Sequence, residues 1–126
     1  MMRLHRRSNE DRGAAAVEFA LVLPLLIAIL LGVIEFGFAF NTQISLTQAA
    51  REGVRLEALD TGNAEQATRD AYLGAMGTGA DLAVSVTECP NSNEKAQVSA
   101  TYNYTPIFLP MLSGALTGEA VMRCGG

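Results

Sequence analysis

The chain has 126 residues, which leaves room for one domain at most. Its 13 acidic and 9 basic residues give a net charge of −4, and this balance argues against nucleic acid as a partner. The only histidine is His5, so we expect no histidine-based metal site and no Ser-His or Cys-His catalytic arrangement in the rest of the chain. We therefore expect neither an enzyme nor a cofactor.

An apolar run occupies residues 14–40, in which only Glu18 and Glu35 are charged. As a helix it would be roughly 40 Å long, enough to cross a hydrocarbon core of about 30 Å. The first 13 residues carry a net charge of +2 and the remainder carries −6. This asymmetry predicts a single transmembrane helix with a cytoplasmic N-terminus and places residues 41–126 outside the cytoplasmic membrane.

A secretory signal peptide is the alternative interpretation, because residues 37–39 could serve as a cleavage site. The apolar run is longer than such signals, however, and three phenylalanines crowd that site. The sequence beyond it also predicts that the same helix continues to about residue 59. That prediction rests on a row of small and apolar residues four apart: Leu46, Ala50, Val54 and Ala58.

The remaining residues predict a small domain. Residues 60–63 are typical of a helix stop and turn, and a short helix is expected at about 64–76, with Ala64, Ala67, Ala71 and Leu73 on its buried side. Alternating apolar residues predict strands at about 82–88, 96–104 and 116–124. The expected fold class is α+β: a long N-terminal transmembrane helix that continues into a domain with a short second helix and a three-stranded antiparallel sheet.

Both cysteines, Cys89 and Cys124, fall in the part placed outside the membrane. On that oxidising side we predict a disulfide that joins the end of the first strand to the last strand, with two unrelated buried thiols as the alternative.

A conspicuously apolar loop covers residues 106–112. We expect it to fill the core below the sheet. The alternative is a contact surface for a partner or a membrane.

The residues around Gly13 resemble the type IV prepilin signal, which a membrane-embedded aspartic peptidase cuts after the glycine. On that resemblance, residues 1–13 are a basic leader, Ala14 is the new N-terminus, and Glu18 and Phe19 take the fifth and sixth mature positions. The new amine would lie one helical turn from Glu18, whose carboxylate favours a charged partner in an apolar helix. Glu18 would then set the register of subunit packing. The alternative is a first-turn glutamate that only favours the helix dipole.

A narrower resemblance, to the TadE-like family of pseudopilin-like proteins in tight-adherence pilus systems, extends over roughly residues 12–56. Its motifs are residues 13–20, 21–26, 32–37 and 49–55. Ala14 departs from ordinary type IV pilins, in which a phenylalanine is usual.

The TadE-like resemblance implies a pseudopilin or minor pilin of the bacterial inner membrane that helps to assemble a type IV-related pilus. The implied partners are a prepilin peptidase, other pilins and pseudopilins, the inner-membrane assembly platform and membrane lipid. The alternative function is an unprocessed single-pass envelope anchor whose outer domain binds a ligand or a protein.

Two further residues of the span have open interpretations. Pro24 removes a helical hydrogen bond and predicts a kink that lets subunits pack or leave the bilayer, although a tolerated membrane proline explains it as well. Glu35 lies roughly 32 Å along the helix from Ala14. We interpret it as a carboxylate that reaches for water at the outer interface, with a pairing role in an assembly as the alternative.

Overall fold

The computed structural model describes residues 8–74 and 76–125, so residues 1–7 of the predicted leader, including His5, lie outside the described residues. The chain divides into two units, Met1–Ile34 and Glu35–Gly126. Its elements in chain order are α1 (Ser8–Ala58), α2 (Ala64–Ala71), β1 (Ala83–Thr87), β2 (Lys95–Tyr104) and β3 (Gly114–Arg123). The predicted α+β fold class is confirmed.

The first unit consists, in its described part, of the N-terminal portion of α1. The helix passes through Pro24 without interruption. Side chains from Asp11 to Leu30 are exposed in the isolated chain. The helix Asp11–Ala58 is long and apolar enough to cross a membrane, and none of its most apolar stretch is buried by the protein. A core helix of a soluble domain would bury those residues, so their exposure fits a single-pass membrane protein.

In the second unit, α1 supplies one wall of a small core. The predicted row is confirmed: its members are buried, together with Ala49 and Gly53 on the same face. Residues four apart lie above one another on a helix, so the row forms one face of α1. Its small side chains let the sheet approach closely. The helix ends where Asp60 adopts a positive φ of 50° and the Thr61 amide donates to the Leu56 carbonyl at 3.1 Å.

Helix α2 is shorter than the sequence predicts. The Asn63 side chain caps its N-terminus by accepting from the Gln66 amide at 2.9 Å, but the helix ends at Ala71. Leu73 is therefore off the helix and 85% exposed, so its predicted burial is wrong. Its expected place in the core is taken by Tyr72, which is buried and belongs to the same cluster as Leu46 and Leu82.

The three strands form an antiparallel sheet in the order β1-β2-β3. The central strand β2 turns Ala96, Val98 and Ala100 inward, and all three are fully buried. The sheet comes close to α1 at Gly118 on β3, where an added Cβ would collide with the backbone of Leu46 and Thr47. Helix and sheet thus meet at backbone distance, which explains why small residues dominate this core.

Candidate functional site

The residues of the predicted processing site lie on one exposed stretch of α1. Gly13 is helical, with open space around the position a Cβ would occupy, and Ala14 and Glu18 follow on the same face, one turn apart. Glu18 and Phe19 are both exposed. The structure therefore leaves the Glu18 carboxylate accessible to a partner. A protease that binds its substrate in extended form would have to unwind the helix around Gly13.

Glu35 is buried in the second unit and bonded by three groups far along the chain. The Tyr104 hydroxyl donates to Oε1 at 2.5 Å, the Ile107 amide lies 3.1 Å from both carboxylate oxygens, and the Phe108 amide donates to Oε2 at 2.9 Å. We call this arrangement the Glu35 site. Since three donors surround one carboxylate, the site fastens the end of β2 and the following loop to α1.

The burial of Glu35 corrects one prediction. The residue is 4% exposed, so the interpretation as a carboxylate that reaches for water is wrong. Its pairing role in an assembly stays a prediction, and a partner would have to compete with the donors already present. Sequence reasoning missed Tyr104, Ile107 and Phe108 as partners. The available signal was a carboxylate inside an apolar run, which must find donors somewhere.

The apolar loop, residues 106–112, also differs from its prediction. Pro106 is buried, but the residues after it are exposed, with Met111 at 94%. The expected core filling is therefore wrong. The loop presents a continuous apolar surface instead, and its first amides are fixed by the Glu35 site.

Tyr104 gives the Glu35 site a measurable pH dependence. Burial of its hydroxyl and the hydrogen bond to Glu35 raise the pKa of Tyr104 to about 12, from an ordinary value of 10.0. Because the pKa is raised on folding, the stabilisation is complete below pH 10 and is lost as the pH rises towards 12. We expect the free energy of unfolding of the second unit to fall across this window as the unfolded chain deprotonates first.

Denaturant unfolding measured at a series of alkaline pH values checks this expectation. Tyr104→Phe is the matched control and should lack this component of the pH dependence. Tyrosinate absorbance can also be followed as the pH is raised in the wild type and in Tyr104→Phe. The assignment is contradicted if the transition that the variant lacks occurs at the ordinary tyrosine pKa of 10.0 and not near 12.

The disulfide predicted between Cys89 and Cys124 is present, with a Cα–Cα distance of 5.8 Å. The two cysteines follow the ends of β1 and β3, which flank the start of β2. Two backbone hydrogen bonds hold the same region: Cys124 donates to the Glu94 carbonyl at 2.9 Å, and Gly125 donates to the Ala58 carbonyl at 3.0 Å. The covalent link thus closes the end of the sheet near the C-terminus of α1.

The apolar run of α1 thus combines three features. Most of its surface is exposed, Glu18 lies near its start, and Glu35 is buried near its end. Residues 13–55 match the family model of TadE-like proteins. The TadE-like resemblance predicted from the sequence is thus confirmed over this segment. The search of curated proteins and the search of solved structures each found no match.

The TadE-like segment begins at the candidate cleavage glycine, Gly13, and contains the other five candidate residues of the span: Ala14, Glu18, Phe19, Pro24 and Glu35. It ends within the core row of α1, and α2 and the sheet lie beyond it. The TadE-like segment and the N-terminal apolar helix fit a single-pass, membrane-anchored protein related to pilus components.

Proposed function

We propose that the protein is a pseudopilin or minor pilin that takes part in assembling a tight-adherence pilus, and that its leader is removed after Gly13. The observation that carries this proposal is the TadE-like match, which starts at the glycine where the prepilin-type signal predicts cleavage. The proposed role is structural and not catalytic.

Cleavage would create a positively charged amine on Ala14. Glu18 lies one turn further along the same face and is exposed, so it can pair with that amine or with the amine of a neighbouring subunit. In a low-dielectric environment such pairing is strongly favoured over an isolated charge, and it fixes the axial register of adjacent helices. The exposed apolar surface of α1 supplies the remaining contact area.

The proposed location is the bacterial inner membrane, with the N-terminus cytoplasmic and the second unit outside. A prepilin peptidase would process the chain, and related pilins and the inner-membrane assembly platform would contact it. The disulfide supports this orientation, because disulfides persist on the oxidising side of that membrane.

Intact mass and N-terminal sequencing of the protein from its native membrane test the proposal. We expect a mature chain that starts at Ala14. A chain that retains its first 13 residues would contradict processing and favour an unprocessed anchor whose outer domain binds a ligand or a protein. A start at Phe40 would identify a secretory signal instead.

Substitution of Glu18 separates assembly from insertion. We expect Glu18→Ala to insert into the membrane normally but to abolish pilus assembly, measured by counting surface pili and by membrane fractionation. Glu88→Ala is the control, since Glu88 is an exposed carboxylate that lies outside the TadE-like match. Normal assembly by Glu18→Ala would overturn the role of Glu18 in register.

A further inference from the structure

We propose that the apolar loop, residues 106–112, docks into the outer leaflet of the bilayer that α1 crosses. The protein would then contact the membrane at two places: the transmembrane part of α1 and a loop 70 residues later in the chain. The proposal rests on membrane anchoring of α1 and not on cleavage after Gly13.

The composition of the loop suits a lipid interface. Ile107, Phe108, Leu109, Met111 and Leu112 are all exposed, and no residue of the loop is charged. A cluster of exposed apolar side chains of this kind marks a contact surface rather than ordinary protein surface.

The attachment of the loop fixes its position along α1. Its first two amides after Pro106 bond to Glu35, so it lies beside that position of α1. Glu35 itself is among the last six residues of the apolar run 14–40. The Glu35 site therefore ties the loop to the end of that run. Phe36 and Phe40, also exposed, continue the apolar surface on the helix beside it.

Backbone N–H groups in contact with lipid need hydrogen-bond partners, and several N–H groups in and next to the loop have them. The amides of Ile107 and Phe108 are bonded to Glu35, and the short 3-10 turn Pro110–Leu112 satisfies two more, from Leu112 to the Leu109 carbonyl at 2.9 Å and from Ser113 to the Pro110 carbonyl at 3.3 Å. The two prolines carry no N–H at all. This small number of free donors fits a shallow position among head groups and upper acyl chains.

A unique fluorescent reporter tests the proposal, because the chain contains no tryptophan. Met111→Trp places the reporter at the tip of the loop, where the native side chain is almost fully exposed. Val121→Trp is the matched control, since it is also exposed but lies seven residues along β3 from Gly114, roughly 20 Å from the loop. Both full-length variants are reconstituted into phosphatidylcholine–phosphatidylglycerol vesicles with and without brominated acyl chains.

We expect brominated lipid to quench the tryptophan at position 111 several-fold more strongly than the one at position 121. Emission from position 111 should also shift to shorter wavelength and resist iodide in the aqueous phase. Equal iodide access and equally weak bromine quenching at the two positions would overturn the proposal. Protection from iodide without bromine quenching would also overturn it, because a second copy or a protein partner would then cover the loop.

The vesicles contain no peptidase and no other pilus component. Quenching thus reports lipid contact alone, while the mass of the native protein reports processing. Failure of one result leaves the other standing.

Discussion

Glu35→Ala is expected to release the apolar loop and the end of β2 from α1. The substitution removes the carboxylate that accepts from the Tyr104 hydroxyl and from the amides of Ile107 and Phe108. The buried Tyr104 hydroxyl then keeps only its longer contact, 3.3 Å, with the main-chain carbonyl of residue 35. An orphaned buried donor costs about 1–3 kcal/mol, and partly buried amides that water can reach cost less. We expect the second unit to lose roughly 1–3 kcal/mol of stability in total, because the Tyr104 hydroxyl exchanges a charged acceptor for a weaker one.

Amide hydrogen exchange locates that loss. Protection at Ile107 and Phe108 should fall by more than tenfold, while the amides that pair β1 with β2 change only as far as global stability requires. Glu35→Gln is an informative intermediate, since it keeps one acceptor but brings an N–H₂ group towards two N–H donors. Glu52→Ala serves as the exposed control. Unchanged protection at both amides in Glu35→Ala would show that the Glu35 site does not hold the loop.

The two carboxylates of the apolar run illustrate how far sequence reasoning reaches. Both Glu18 and Glu35 appear as costly charges in an apolar helix, and the physical argument requires a partner for each. The structure satisfies Glu35 from within the chain and leaves Glu18 exposed. Sequence spacing cannot make this distinction, because the donors to Glu35 lie 69 to 73 residues away.

Hydrophobic periodicity correctly predicted which residues are buried along the two longest elements, α1 and β2. The core row of α1 and the inward residues of β2 follow the periods of 3.6 and 2, and their burial agrees with the patterns. The patterns failed where short elements end. Leu73 was expected on the buried side, but it lies two residues beyond Ala71, where the helix stops, and two residues do not share a helix face. Thr68, four residues after Ala64, is buried instead against Gly53. A small polar residue fits there because its hydroxyl donates to the Ala64 carbonyl at 2.7 Å.

The apolar loop was misplaced for a different reason. Its composition indicates burial, and composition alone does not say whether protein or lipid provides it. The core is closed by other residues, in which Leu46, Tyr72 and Leu82 form one cluster with small residues of α1 and β2. The volume of a core emerges only from the packing distance between elements, which the sequence does not state.

Loss of the disulfide between Cys89 and Cys124 is the other large effect we expect. The bond closes a loop with a sequence separation of 35, and constraint of the unfolded chain then stabilises the fold by roughly 3–4 kcal/mol in the chain-entropy model. Reduction of the wild-type protein should lower the denaturant midpoint accordingly. The Cys89→Ala/Cys124→Ala double variant should match the reduced protein, because alanine places no new polar group beside the buried Cys124.

If the disulfide acts by constraining the unfolded chain, its reduction should leave the native structure unchanged. The Cys124 and Gly125 amides keep their bonds to the Glu94 and Ala58 carbonyls without the covalent link. The folded structure should therefore persist after reduction, with hydrogen exchange at the end of β3 faster only in step with global stability. Selective loss of protection at the end of β3, with an unchanged denaturant midpoint, would contradict this account and show that the bond acts locally on the native state. A uniform loss would instead mean that the small core of this unit depends on a covalent constraint for much of its stability.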